Sequence, residues 1–219
     1  MNLSKLSVTT QLIIFTSIIS IIALIIMGFF PGFISFVALQ PSSILQGQAL
    51  WTLVSHIFIH ASLIHLFVNM FVLFSLGNLT ERIIGGKRLL WFYVISGIFA
   101  GLLSVVMSGL FGYGLGAQIF GSPDVYMVGA SGAIFAIAGL FVVILPKLRF
   151  SIIFLPFFSL PAYIMVPVVL ILTWIVSSAT NLGIGNVAHL GGFLSGIVYG
   201  FYLRNKYRKK IDMIQRVFR

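Results

Sequence analysis

Charge is what this sequence has least of. Only 7% of its 219 residues are Asp, Glu, Lys or Arg, against roughly a quarter in a soluble domain. Hydrophobic residues make up 60% and the mean hydropathy is +1.16. Too little polar surface remains to face water, so lipid is the solvent for most of the chain. Cysteine is absent, which excludes a disulfide framework, thiolate catalysis and cysteine metal sites together. Acids number 3, namely Glu81, Asp124 and Asp212, against 13 Lys and Arg, for a net charge of +10. So basic a balance suggests nucleic acid at first sight, but the positions of the charges point elsewhere.

Apolar runs long enough to cross about 30 Å of hydrocarbon as helix cover residues 11–30, 63–79, 89–109, 131–145, 162–178 and 187–203. They predict an all-α membrane protein, a six-helix bundle forming one domain over 1–219 with a basic tail at 204–219. Pro156 and Pro161 make 149–161 an interfacial stretch rather than a helix. The first span follows Lys5, outruns the apolar core of a signal peptide and is followed by no small-x-small cleavage site, so it reads as an anchor.

Every basic residue precedes the first span (Lys5), lies between the second and third (Arg82, Lys87, Arg88) or the fourth and fifth (Lys147, Arg149), or follows the sixth. The positive-inside rule then makes both termini cytoplasmic and turns loops 31–62, 110–130 and 181–186 outward. Arg204, Lys206, Arg208, Lys209 and Lys210 serve to retain that topology and to attract anionic headgroups of membrane lipids, with no nucleic acid as partner. The uncharged loop 31–62 carries Trp51, Ile57, Phe58 and Ile59. It is too long to be structureless and is expected as short pieces packed on protein and partly embedded in the outer interface.

Polar side chains at membrane depth are costly and mark functional sites. His65 and Asn69, spaced i, i+4, share one helix face near the outer start of the second span. Ser131 opens the fourth span and His189 lies in the first turn of the sixth, both of which also start outside. Four residues from three helices thus converge on one outer layer. A serine hydroxyl needs a base, and a neutral imidazole serves. Glu81 and Asp212 are on the wrong side and Asp124 sits seven residues before the serine, so a Ser131–His189 dyad is expected. The Ser131 backbone N–H and the His65 and Asn69 side chains are candidate donors to a tetrahedral oxyanion. Ser131 alone also suits a helix N-cap, and Asn186 is expected to cap the sixth helix. Gly192, Gly196 and Gly200 form a small-residue stripe continuing from His189, with Gly132, Ala136 and Gly139 as the matching groove, as in close helix packing in lipid. His56, His60 and His65 lack the glutamate of an H-E-x-x-H site and have no acid nearby, so neither metal nor other cofactor is expected. A transporter reading requires a polar path, which the apolar lower halves of the spans do not supply.

Three segments closely resemble the rhomboid family of intramembrane serine proteases: His60-Ala-Ser-Leu-Ile-His65-Leu-Phe-Val-Asn69, Gly129-Ala-Ser131-Gly132, and Ala188-His189-Leu-Gly-Gly192 running on to Gly196. The resemblance covers essentially the six-helix domain. It implies Ser131 as nucleophile, His189 as general base and then acid, and His65 and Asn69 as oxyanion donors. It further implies that Gly129 leaves room for substrate backbone, and that Gly183, Gly185 and the fifth span form the cap and gate. Substrates would be single-pass membrane proteins cut near the outer end of their transmembrane segment. Two positions depart from the family pattern. Thr52 follows Trp51 where an arginine is common, and Phe135 stands where many members carry tyrosine, able to stack on the imidazole but without a hydroxyl. The expectation is a multi-pass protein of a prokaryotic cell membrane acting as a serine endopeptidase, with a non-catalytic relative that binds transmembrane helices as the alternative.

Overall fold

The computed structural model describes residues 6–152, 155–180 and 185–217. It is the structure of a helical integral membrane protein. Among the described residues, four helices are long and apolar enough to cross a membrane on their own: α1 (Val8–Phe29), α5 (Leu63–Ile84), α6 (Gly86–Phe111) and α9 (Ala162–Thr180). Between α1 and α5 the chain breaks into α2 (Ile34–Val37), α3 (Pro41–Leu45) and α4 (Thr52–Ser55), with one 3-10 turn before α2 (Pro31–Phe33) and one after α4 (His56–Phe58). Val37, Leu39, Ile57 and Ile59 are buried, as expected for short pieces packed on protein. The short α7 (Ala117–Phe120) precedes α8 (Ser131–Ile144), and α10 (Asn186–Lys206) and α11 (Arg208–Val217) complete the helices.

Local chemistry sets the ends. The Ser7 hydroxyl accepts the Thr10 N–H at the start of α1, and the Ser62 hydroxyl accepts the His65 N–H at the start of α5, each satisfying one of a helix's orphan donors. Gly85, at φ +88°, reverses the chain between α5 and α6 in one residue, a conformation that only glycine adopts freely. Glu81 near the end of α5 accepts the Val8 and Thr9 N–H groups, each at 2.8 Å, and the Thr9 hydroxyl at 2.7 Å. A carboxylate against a helix N-terminus is a favourable pairing, and it joins the first helix to the bundle.

Residues 149–161, read from their prolines as an interfacial stretch, form an antiparallel hairpin, β1 (Arg149–Ile152) with β2 (Leu155–Pro161). Proline excludes helix there, but it is tolerated on the edges of a two-stranded ribbon.

The two helices that fall short as independent spans are the ones carrying Ser131 and His189. The 14 residues of α8 measure about 21 Å, less than the hydrocarbon thickness of about 30 Å. This helix stands at the centre, with α5, α6, α9 and α10 around it, and almost all its side chains are buried. Its closest neighbour is α10. A Cβ added at Gly192 would collide with the Gly132 carbonyl, one at Gly196 with the Ala136 carbonyl, and one at Gly139 with the Phe193 carbonyl. The stripe and groove read from sequence therefore do meet, backbone against backbone. We predict that Gly196→Leu lowers stability by about 3 kcal/mol through overpacking. Gly28→Ala, where a Cβ meets nothing within 4 Å, should leave it unchanged or slightly raised. Unfolding midpoints of the two variants in one detergent check this.

Candidate active site

The glycine contact lies within one turn of the reactive groups. Gly132 adjoins Ser131 and Gly192 lies one turn beyond His189, so where their backbones touch, the two side chains face each other. His189 Nε2 lies 2.8 Å from Ser131 Oγ. For the hydroxyl to donate to Nε2, the ring proton must reside on Nδ1. Nδ1 is buried and has no hydrogen-bond partner among the described residues. Asp124 stays exposed in the loop before α8, its backbone carbonyl accepting from Gln40 Nε2 at 2.9 Å. The imidazole is held instead by Phe135, stacked on it with ring centroids 4.5 Å apart and planes 27° from parallel. The phenyl ring expected to stack does so.

The segment entering α8 is suspended from the first loop. Leu39 and Met127 exchange backbone hydrogen bonds of 3.0 and 2.7 Å, and the Ser42 N–H donates to the Pro123 carbonyl at 2.9 Å. The Gly129 N–H donates to the His56 carbonyl at 2.9 Å, and the Ala130 N–H to His60 Nε2 at 3.4 Å. Because Nε2 accepts, the His60 proton belongs on Nδ1, which donates to Ser20 Oγ of α1 at 3.2 Å. His60 thus ties α1, the loop and the residue before Ser131 together. The sequence singles out His60 by motif but gives no sign of its partners, which lie 40 and 70 positions away. His56 Nδ1 donates to the Thr52 carbonyl at 2.7 Å. At the position where the family's arginine is missing, the Thr52 hydroxyl donates to the Ala49 carbonyl at 2.7 Å and Trp51 Nε1 to the Phe36 carbonyl at 2.8 Å. The loop keeps its hydrogen bonds by other means.

His65 and Asn69 occupy the same layer on α5. Gly129, at φ +130°, leaves empty the point where a Cβ would lie 2.9 Å from His65 Cε1, 3.1 Å from its Nε2 and 3.7 Å from Ser131 Oγ. One small vacancy is therefore flanked by the His65 ring and the serine oxygen. Asn69 Nδ2 donates one hydrogen to the His65 carbonyl at 2.9 Å, and its second hydrogen remains for another acceptor. The N–H groups of Ser131 and the next two residues open α8 and have no intrahelical partner.

Two sequence expectations need correction or restriction. Asn186 does not cap the sixth helix: Gly185 occupies that position, Asn186 is the first helical residue, and its Oδ1 is buried without a partner. The Gly185 carbonyl accepts the His189 N–H at 3.0 Å, the first intrahelical bond of α10, and no side chain caps the N–H groups of its first turn. Gly183, named for the cap, and Lys5, used for orientation, lie outside the described residues.

A serine and a histidine in hydrogen-bond contact, with donors and a vacancy beside the serine, is an arrangement of the serine-hydrolase kind set inside a helical membrane protein. Comparison with known proteins identifies the lineage. The family model described as Rhomboid domain matches residues 47–206, and the chain belongs to the rhomboid family. It is 29% identical over 166 residues to the rhomboid protease GlpG of Haemophilus influenzae, covering 75% of this chain and 74% of that protein. To RHOMBOID-like protein 4 of Arabidopsis thaliana it is 32% identical over 171 residues, covering 75% of this chain and 37% of that one. To the human mitochondrial presenilin-associated rhomboid-like protein it is 30% identical over 151 residues, covering 66% and 36%. The chain thus spans about three-quarters of the bacterial relative and little more than a third of the other two.

The two buried loop histidines make stability depend on pH. Burial pushes His56 from 6.5 down to about 4, against the raising effect of its backbone hydrogen bonds. Burial, with the nearby His65 adding to it, pushes His60 down to about 3. Between those values and 6.5 the unfolded chain binds protons that the folded one refuses, so unfolding is favoured as pH falls. Stability should be full above about pH 6.5 and decline progressively toward pH 4. His60→Gln should lower the midpoint at pH 7 and flatten the decline, as thermal unfolding across this range would register.

Proposed function

We propose that the chain is an intramembrane serine endopeptidase that cuts single-pass membrane proteins near the outer end of their transmembrane segment. The observation carrying this reading is the 2.8 Å contact between Ser131 Oγ and His189 Nε2. Ser131 Oγ attacks the scissile carbonyl while His189 Nε2 takes its proton. The carbonyl oxygen, now an oxyanion, is stabilised by the Ser131 N–H and the His65 and Asn69 side chains. His189 then returns the proton to the departing amine, leaving an acyl-enzyme on Ser131 that water hydrolyses by the same relay. With Phe135 in place of a carboxylate against the imidazole, nothing charged offsets the imidazolium as it forms, so His189 acts as a weak base. Gly129 and Phe135 line the substrate side. A peptide bond within an intact helix has its carbonyl engaged, so substrates need helix-breaking residues near the cut.

Access passes beside α9, whose outer end is held to α7 by Trp174 Nε1 donating to the Ile119 carbonyl at 3.0 Å and Ser178 Oγ donating to the Gln118 carbonyl at 3.4 Å. The bacterial relative is named a protease and is matched along most of its length, which supports the activity; the prokaryotic cell membrane is its proposed place.

Reconstituted protein should cleave at least one member of a panel of tagged single-pass substrates, and Ser131→Ala and His189→Ala should each abolish the product. Undiminished cleavage by Ser131→Ala would refute the assignment. Orientation follows from the distribution of basic residues, with both termini cytoplasmic and Ser131 toward the outside. Because the chain has no cysteine, Gln46→Cys should react with an impermeant maleimide in intact cells and Lys209→Cys only after permeabilisation. The opposite pattern reverses the topology.

A further inference from the structure

The end of the bundle opposite Ser131 gathers most of the chain's cations, with Glu81 and Asp212 as the acids on that side. Arg88, near the start of α6, and Lys206, at the end of α10, flank a single ring: Arg88 Cζ and Lys206 Nζ each lie 5.7 Å from the Tyr207 centroid. Lys206 Nζ donates to the Tyr202 hydroxyl at 2.8 Å and lies 5.2 Å from that ring, while Arg88 Nη2 donates to the Tyr207 hydroxyl at 3.5 Å. Two like charges are thereby held close by phenol rings. The groups acting on Lys206 are Tyr202, Tyr207 and Arg88, with no carboxylate among them. Glu81 is committed to the start of α1, Asp212 of α11 is not among the groups acting on Lys206, and Asp124 sits in the outer loop. Such a pair repels unless an anion joins it.

Depth identifies the anion. From His189 to Lys206, α10 runs about 25 Å, close to the hydrocarbon thickness of about 30 Å, which puts the cluster at the headgroups of the opposite leaflet. Toward the bilayer centre, Ile95 lies two turns from Arg88 and Val198 two turns from Lys206, each on the same face of its helix. They are 60% and 70% exposed, an apolar wall for acyl chains. Between them Phe92 stacks on Tyr199 at 4.6 Å, closing the seam of α6 and α10 into a firm floor. We propose that Arg88, Tyr202, Lys206 and Tyr207 form a binding site for the phosphate of an anionic phospholipid, whose chains lie along Ile95 and Val198. Two cations and two phenol hydroxyls match a phosphate diester, with charge-assisted hydrogen bonds as the strong contacts. This inference needs only the membrane fold and is independent of proteolysis.

The test is native mass spectrometry of the full chain, delipidated in neutral detergent and titrated with phosphatidylglycerol, with phosphatidylcholine, and with inorganic phosphate. Wild type should retain phosphatidylglycerol over phosphatidylcholine. Arg88→Gln combined with Lys206→Gln should weaken that retention about tenfold or more. Arg82→Gln combined with Arg216→Gln, an equal loss of charge elsewhere at the same end, should not. Tyr202→Phe keeps the ring, removes a hydroxyl and should weaken binding at an unchanged unfolding midpoint, so a folding defect in the double variant does not leave the matter open. Equal loss in the Arg82 and Arg216 variant, or undiminished retention in both the Arg88 and Lys206 variant and Tyr202→Phe, would overturn the site. Displacement of the lipid by inorganic phosphate would overturn its assignment to a lipid.

Discussion

Everything in this molecule that bears on chemistry depends on the backbone contact between α8 and α10. In lipid there is no hydrophobic force to press helices together, so close packing rests on shape. The missing side chains at Gly192, Gly196 and Gly139 let peptide groups of one helix rest on those of the other. Any side chain there would push the helices apart, and the separation would appear directly between Ser131 and His189, whose 2.8 Å contact tolerates little. The site is therefore encoded as much by what the helices lack as by Ser131 and His189 themselves.

A second constraint is the shortness of α8. A central helix that stops short of the bilayer surface would leave its first N–H groups and the preceding peptide facing lipid, where unsatisfied polar groups are expensive. The chain answers with the first loop. His56 offers its carbonyl to Gly129 and His60 its ring to Ala130, while the Ser131, Gly132 and Ala133 N–H groups stay outside the helix's own ladder. Structural hydrogen bonds thus end at Ala130, immediately before Ser131. Of the buried side-chain atoms that have no hydrogen-bond partner among the described residues, two, His189 Nδ1 and Asn186 Oδ1, lie one turn apart on α10.

Much of this was legible in the sequence because a membrane interior makes polar residues conspicuous. Ser131, His189, His65 and Asn69 stand out against apolar spans, and alternating topology brings the starts of three helices to one level. The glycine stripe was equally readable, since its spacing alone fixes its face. Long-range partners were not readable: nothing in local pattern connects His60 to Ser20 and Ala130, or Leu39 to Met127. The capping role given to Asn186 is not filled by it because the helix starts one residue earlier than its spacing suggested, with Gly185, which has no side chain, at the cap. The hairpin at 149–161 escaped because proline reports where helix is forbidden and says less about what replaces it. The basic end likewise read as uniform charge, whereas in three dimensions Tyr202 and Tyr207 collect two of its cations into one place.

The central claim is that Ser131 is an activated nucleophile, and the most direct measurement is reaction of the reconstituted wild-type protein with a fluorophosphonate, followed by peptide mapping of the adduct. The account predicts a single adduct on Ser131, formed by wild type and lost in His189→Ala. Absence of labelling in a folded wild-type protein, or labelling that persists unchanged without His189, would contradict it.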